Sequence, residues 1–586
     1  MAETATAETP KKSAWRVLGL ALRNRKTAFM LLFGFASGLP FALFLGTLFA
    51  WLTEAEVDLE TMGIFSLIGL AYAFQFLWSP LIDKVDIPLL RKLGKRKQWI
   101  VPMQLALGTI LITMSLLEPK SQLGMFSLLA GLGAFASATQ DIAINAWRID
   151  VADEIATIDI LSTIYQMGYR LSSLVGGALG LIIAARIGWP ETYALMGAIL
   201  LGAGAIGLFA PNAEGDAATL GGEGDEQVRA LRRAGELEPG IRNRALALVG
   251  LLWAGAIGTV LAFMIMSMTY APEDRPNPTD FTLNVGPWII VATIILPALI
   301  AGWLGAQKKR GKHLLSEDAP TASGGAYAMD HLYRALVLPL VEFVGRMGWS
   351  LVLILSVVLT YRICDAIWGT FAYPFYLGEL NYTNDEVAFA SKFFGVGAIV
   401  VGLALGGWML TAIGRMFTLA LGGLLAALTN LLYANLAHGG ALMQAGSDAI
   451  GFTALINFLA GVFAMPESEG LARLTFTIMF ENLAIGIAGA AYIAWLSSIV
   501  SKKFSAVQYA LLSSLTLLVG TLGRGALGEM IENQGYYDVF ILTTWIGIGA
   551  VVLVLIEWWR ERRGKAAAGI VAPEAGEPDH RAAAGA

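Results

Sequence analysis

Several stretches of this chain set ionisable side chains inside runs that are otherwise apolar. In "SATQDIAINAWRIDVADEIATIDILSTIYQMGYR", Asp141 and Arg170 stand within the apolar parts, while Asp150, Asp153, Glu154 and Asp159 sit in the turn between them. In "LTYRICDAIWGTFAYPF", Arg362 and Asp365 fall on one helical face. Lys392 lies in "ASKFFG", and Glu481 and Asn482 in "TIMFENLAIG". A charge at membrane depth costs about 2.5–3.5 kcal/mol on insertion scales, so it is rare unless it faces a partner or a wet cavity. Two chemistries suit such residues. Desolvation favours the neutral form of a carboxyl, so a buried acid can load and release a proton. A guanidinium or ammonium group can hold a carboxylate. The structural alternatives are an Asp141–Arg170 pair or snorkelling end charges, and an Arg362–Asp365 pair that only ties a helix face.

We expect proton coupling at Glu481, Asp141 or Asp365, with Glu481 foremost. Its neighbours Met479, Phe480, Leu483 and Ile485 are apolar and no cation lies three or four residues away, whereas Asp365 has Arg362 and Asp141 has Arg148 two turns on. For substrate binding we expect Arg170, Lys392 and Arg362, with Gln140, Gln166, Tyr165, Tyr169, Trp368 and Asn482 around them. Aromatic faces with amide and hydroxyl edges suit sugars. The same aromatics could instead pack the bundle, and Tyr376 reads as part of the interfacial belt. Arg524 reads as a snorkelling end charge near Glu529.

These residues need helices to hold them at depth, and the composition supplies them. Of 586 residues, 56% are hydrophobic and only 15% charged, against about 25% charged in soluble domains; the mean hydropathy is +0.64. The chain reads as an all-α polytopic membrane protein. One cysteine, Cys364, excludes an intrachain disulfide, and four scattered histidines give no metal-ligand spacing. We expect no metal, no cofactor, no catalytic residue and no nucleic-acid partner. Residues 1–27 are polar and basic, a cytoplasmic N-terminal segment rather than a signal peptide.

A span needs about 20 predominantly apolar residues. On that rule 28–210 holds a first six-helix bundle (28–52, 61–82, 98–118, 122–147, 158–185, 191–210). Residues 211–330 hold two polar cytoplasmic linkers around an inserted helix pair, 244–270 and 286–306. After an amphipathic lead-in from His331 to Gly348, a second six-helix bundle fills 331–563 (349–377, 386–412, 416–437, 472–500, 506–531, 537–558), and 564–586 is a disordered tail. About fourteen helices result. The segment 438–471 is long enough to be a further span, but that would invert every later loop. Charge bias argues for an outer or re-entrant insert instead. Of the 40 Lys and Arg, only Lys120, Arg186, Arg275 and Arg473 then lie outside, and only Arg170, Arg362, Lys392 and Arg524 lie within helices.

Two six-helix blocks joined by a cytoplasmic linker are the pattern of major facilitator transporters, whose halves enclose substrate near the midplane. "SPLIDKVDIPLLRKLGKRKQW", with Asp83, Lys95 and Arg96, resembles the gating-loop signature of that superfamily; "GGWMLTAIGRMFTL", with Arg415, resembles it in reduced form. Positive-inside anchoring accounts for most of these basic residues but not for Asp83. The finer resemblance is to the AmpG-type muropeptide permeases of Gram-negative bacteria. It rests on "GFASGLPFAL", "FSLIGLAYAFQFLWSPLID", "SATQDIAINAWRIDV", "GYRLSSLVGG", "CDAIWGTF", "ASKFFG", "FENLAIG" and "KKFSAVQYALLSSL". It thins in the inserted pair and in 438–471.

The resemblance implies an inner-membrane permease, monomeric and not an enzyme. It would import GlcNAc-1,6-anhydro-MurNAc peptides with protons, in peptidoglycan recycling and, in some bacteria, β-lactam resistance. The rivals are an acetyl-CoA carrier, a drug exporter, or a polytopic membrane enzyme built on the acidic turn at Asp150–Asp159, which otherwise reads as a solvated loop with helix-capping Asp.

Overall fold

The computed structural model describes residues 23–57, 74–213, 236–270, 284–314, 325–362, 374–462 and 470–567, with isolated positions at 19, 71, 72, 274, 276, 280, 281, 371 and 372. The first part of the expected helix 61–82, residues 61–70, and the expected site residues Asp365 and Trp368 lie outside these. Apart from a single bridge between Leu237 and Leu314, the described residues form helices and the turns between them.

The first bundle contains α1 (Arg25–Glu54), the short α2 (Ser79–Lys84), α3 (Lys97–Ser115), α4 (Leu123–Asp150), α5 (Ile158–Ile187) and α6 (Trp189–Gly207). Local chemistry sets the ends and the bends. Asn24 caps α1 by accepting from the Lys26 N–H, and Thr157 caps α5, with Asp159 in its first turn complementing the helix dipole. Pro40 has no N–H to offer the carbonyl four residues back. The Gln140 side-chain amide donates to that Ala36 carbonyl at 2.6 Å, and α1 loosens just beyond into a π turn, Leu43–Thr47. A second π turn, Leu174–Leu179, follows Arg170 in α5.

The inserted pair is α7 (Pro239–Thr269) and α8 (Gly286–Lys309), tied together where Trp253 Nε1 donates to the Thr293 carbonyl at 3.0 Å. It is more than a spacer. Val249, Trp253, Ala256 and Ile289 share one apolar cluster with Phe76 and Ile82 of the first half and with Val507, Ala510 and Leu511 of the second. One end of it, at the start of α7 beside the linkers, is held by charge: Arg242 reaches Asp330 at 2.7 Å and Glu236 at 3.2 Å, and Arg334 reaches the same two acids at 2.9 and 2.6 Å.

The second half comprises α9 (Gly325–Leu336), α10 (Leu338–Met347), α11 (Ser350–Thr360), α12 (Asp385–Ala412), α13 (Arg415–Ala437), α14 (Ala441–Ala449), α15 (Phe452–Val462), α16 (Leu471–Ser498) and α17 (Ser505–Ala567). The amphipathic lead-in is α9 and α10, and the chain turns by 104° between α10 and α11. The described part of the ambiguous 438–471 segment holds a bent helix pair, α14 and α15, turning by 89° and packed on α16. α17 is two arms broken at Gly535, whose φ of 84° only glycine adopts readily; its second arm stays helical to Ala567, past the expected start of the tail. Ten described helices are long and apolar enough to cross a membrane, or up to twelve if each bent pair is one crossing.

Hydrocarbon tails are as apolar as leucine, so helices in a bilayer associate through close packing of small residues. Two crossings do this at the acids. Gly34 of α1 lies against the Tyr165 carbonyl, and Gly168 of α5 against the Leu31 carbonyl, so that any Cβ would collide. Gly402 of α12 and Gly486 of α16 meet in the same way, against the carbonyls of Leu483 and Ile399. The first crossing brings α5 to α1 beside Asp141; the second fixes α16, which carries Glu481.

Candidate functional site

At one end of the bundle the two halves are locked together by Arg96. It is 2% exposed and donates to four oxygens: Asp150 Oδ2 at 2.6 Å, Asp83 Oδ1 at 2.8 Å, Ser505 Oγ at 2.8 Å and the Ile82 carbonyl at 3.1 Å. Asp83 also accepts from the Val507 N–H at 3.0 Å and the Ala506 N–H at 3.4 Å, where α17 begins. A carboxylate at a helix N-terminus is favoured by unpaired N–H groups and by the dipole. Burial works against the charge of Arg96, but Asp150 and Asp83 outweigh it and hold the guanidinium protonated beyond its ordinary range. Arg415 reaches across in the same way to Asp159 at 2.8 Å, and Lys502 to the Ala152 carbonyl at 3.3 Å. The reduced second loop signature thus does have an acid, supplied by the other half. Lys95 is half-exposed and its carbonyl accepts from Gln98. This end is closed.

Deeper in the first half, Asp141 Oδ1 accepts from Ser37 Oγ at 2.6 Å and from the Tyr165 hydroxyl at 2.7 Å. The Asn145 amide donates to the Asp141 carbonyl. Tyr169 lies tilted between Phe41 and Tyr165, with ring centroids 6.1 and 6.2 Å away. Gln140 is fully buried, its amide given to Ala36, so in this state it braces the α1 bend rather than facing a cleft. Arg148 received less weight from sequence than it earns. It is fully buried between the rings of Tyr165 and Tyr509, at 4.9 and 5.1 Å, and donates to Ser497 at 2.9 Å. The available signal was its place seven residues after Asp141, on the same face; its position next to a helix end disguised it as an anchor.

The cations expected to meet substrate stand on α5, just past the end of α11, and on α12. Arg170 is half-buried on α5. Arg362 and Gln166 converge on Gly489 of α16, where a Cβ would sit 3.4 Å from the Arg362 Nη1 and 3.6 Å from the Gln166 amide nitrogen. One residue comes from each half, and glycine leaves them the room. Lys392 is exposed and forms no hydrogen bond or ion pair among the described residues.

Glu481 is not set among its sequence neighbours. Met479, Phe480 and Leu483 line an apolar groove of about 370 Å³ with Phe393, Phe394 and Val401. The Glu481 carboxylate instead accepts from Tyr433, whose hydroxyl lies 2.8 Å from that of Tyr376. Tyr376, read as a belt residue, is 5% exposed and belongs to this buried group with Phe375 and Phe540. Asn482 gives its amide back to the Ile478 carbonyl at 2.9 Å and packs on Gly395. Helices α4 and α16, one from each half, thus each carry an interior acid, Asp141 or Glu481, held by a buried tyrosine.

Comparison with known proteins agrees with this architecture. The anhydromuropeptide permease of Escherichia coli strain K12 is 28% identical over 534 residues, covering 91% of this chain and 79% of the permease; that of strain O157:H7 gives the same figures. Residues 27–126 match the family model described as acetyl-coenzyme A transporter 1. Among solved structures, a proton:xylose symporter of the major facilitator superfamily bound to 6-bromo-6-deoxy-D-glucose superposes with a TM-score of 0.50 at 11% identity, covering 93% of this chain and 95% of that one.

Proposed function

We infer that the chain is a transporter: its fold is like that of the major facilitator superfamily, and the likeness to anhydromuropeptide permeases runs along nine-tenths of the chain. We propose that it carries GlcNAc-1,6-anhydro-MurNAc peptides from periplasm to cytoplasm across the bacterial inner membrane, drawing on the proton gradient. The similarity to the permeases is the observation that carries this reading. In it, the Arg96 end faces the cytoplasm and is shut, and substrate enters from the other side toward Arg170, Arg362 and Lys392. Asp141 and Glu481 take up protons, and the protein works as a monomer. Uptake of labelled anhydromuropeptide into right-side-out vesicles tests it: accumulation should follow an imposed proton gradient and vanish when the gradient is collapsed.

The match of residues 27–126 favours one rival, an acetyl-CoA carrier. Its several phosphates call for clustered cations, whereas Arg170, Arg362 and Lys392 stand on separate helical segments. Competition of uptake by acetyl-CoA, with none by anhydromuropeptide, would establish the rival.

Two further results are expected. Arg170→Ala and Lys392→Ala should weaken uptake of peptide-bearing fragments roughly tenfold to a hundredfold, the scale of one lost charge-assisted hydrogen bond, and uptake of the bare anhydro-disaccharide far less. Equal losses for both ligands would make the residue structural, because the disaccharide lacks the peptide carboxylates. In a Cys364→Ala background, cysteines placed at Gly222 or Ser323 should react with an impermeant maleimide only from the cytoplasmic side. Reaction from the outside of intact cells would overturn the orientation.

A further inference from the structure

We propose that Tyr165 couples the Asp141 carboxyl to the seal between the two halves. Its hydroxyl holds Asp141 and its ring holds Arg148, which on its opposite face is clasped by the second half. This rests on the proton-coupled reading above and gives one of its acids a route to the gate.

The geometry has three parts. Asp141 and Arg148 lie on one face of α4, two turns apart, and Tyr165 of α5 packs opposite both. Its hydroxyl donates to Asp141 at 2.7 Å, and the Arg148 guanidinium lies 4.9 Å from its ring centroid. Among the described residues Arg148 has no carboxylate partner within ion-pair range, and its Nε and Nη1 make no hydrogen bond. A fully buried guanidinium satisfied mainly by aromatic faces depends on those faces staying where they are. The second face is Tyr509 of α17, and the one hydrogen bond goes to Ser497 of α16, so two of its three holds come from the second half. When the halves part at this end, Arg148 must lose Tyr509 and Ser497 and keep only Tyr165.

Proton occupancy of Asp141 changes what Tyr165 is bonded to. An ionised carboxylate is acceptor only, and both Ser37 and Tyr165 can donate to it. A protonated carboxyl is a neutral acceptor wherever its proton sits, on the Oδ1 that both hydroxyls share or on Oδ2. The charge-assisted hold on Tyr165 is then gone, and a proton on Oδ1 would also set a third donor among two hydroxyls 3.0 Å apart. The other groups facing Asp141 are Tyr72 and Tyr169, with Arg170 beyond Tyr169 and Asn145 on α4 itself. The sense follows: ionised Asp141 fixes Tyr165 and thereby the Arg148 clasp, and protonation loosens the seal.

The test is a distance across the seal, independent of transport. Spin labels at Glu154 and Lys503, both exposed and one on each half, report the closed and open populations of the full chain in nanodiscs. In the otherwise unaltered protein the open population should grow as the pH falls. Tyr165→Phe keeps the ring over Arg148 and removes the hydroxyl; the closed state should persist while its pH response shrinks at least tenfold. Tyr165→Leu, which loses both holds, should be open throughout, and Ser37→Ala should blunt the pH response partially. A pH response in Tyr165→Phe equal to the unsubstituted protein overturns the proposal. Asp141→Asn separates the two levels. If it abolishes the response while Tyr165→Phe does not, the proton assignment stands and the route through Tyr165 falls. If it leaves the response intact, Asp141 is not the group that senses the proton.

Discussion

Glu481→Gln should abolish accumulation of substrate against its gradient while leaving substrate binding and exchange across the membrane largely intact. The substitution keeps the side chain's shape and an oxygen for the Tyr433 hydroxyl, so the buried group of Tyr433, Tyr376, Phe375 and Phe540 has no reason to collapse. What it removes is a proton that can come and go. A one-unit pH step sustains about a tenfold concentration ratio for each proton carried. In proteoliposomes the unsubstituted protein should approach such a ratio and the variant should stop at equal concentrations inside and out. Counterflow of labelled against unlabelled substrate, which needs no net proton movement, should persist. A variant that still concentrates substrate in response to a pH step would remove Glu481 from the coupling mechanism.

The second large effect is expected at Arg96. Removing one partner of a buried ion pair costs about 3–5 kcal/mol, because the remaining charge is left uncompensated. Here Arg96→Ala would strand both Asp83, whose side chain is fully buried, and Asp150, 11% exposed. That cost falls only on the conformation that buries them. At tenfold for each 1.4 kcal/mol, the closed-to-open ratio should drop by on the order of a hundredfold or more. A cysteine at Ala506, fully buried beneath this lock, should change from unreactive to readily labelled in inside-out vesicles. Arg96→Lys should fall between, since one ammonium cannot reach four acceptors at once. Unchanged labelling of a monodisperse Arg96→Ala protein would show that the closure is held elsewhere.

Much of this was legible in the sequence, and the losses have definite causes. Long apolar runs placed α1, α3 to α8, α12, α13 and α16, because length and hydropathy are properties of a segment alone. The stretch that carries Asp83 and Arg96 was marked by its likeness to a gating-loop signature, but which basic residue meets Asp83 was not legible. Partners contributed by distant helices were not legible. Asp159 looked like a solvated cap, yet it receives Arg415 from the other half. Gln140 looked like a sugar ligand, yet its amide answers the carbonyl freed by Pro40, a hundred residues earlier. The apolar surroundings expected of Glu481 came from reading adjacent residues, whereas positions one and two away on a helix face elsewhere. Asp365 and Trp368 lie outside the described residues, and their expected roles stand as proposals.

The inserted pair α7–α8 has a mechanical consequence. Its apolar faces rest on both sides of the seam that must open, Phe76 on one side and Val507 to Leu511 on the other, while Arg242 and Arg334 pin it to Glu236 and Asp330. When the seam widens, lipid tails can flow in where side chains withdraw, and what is lost is fit rather than apolarity. The charged end has no such substitute. The pair therefore behaves like an outrigger, lashed at one end and greased along its length. On the transporter reading, the order of the surrounding acyl chains should then bear on how readily the seam opens, so uptake should vary with acyl chain length and saturation even with every residue of the cleft unchanged.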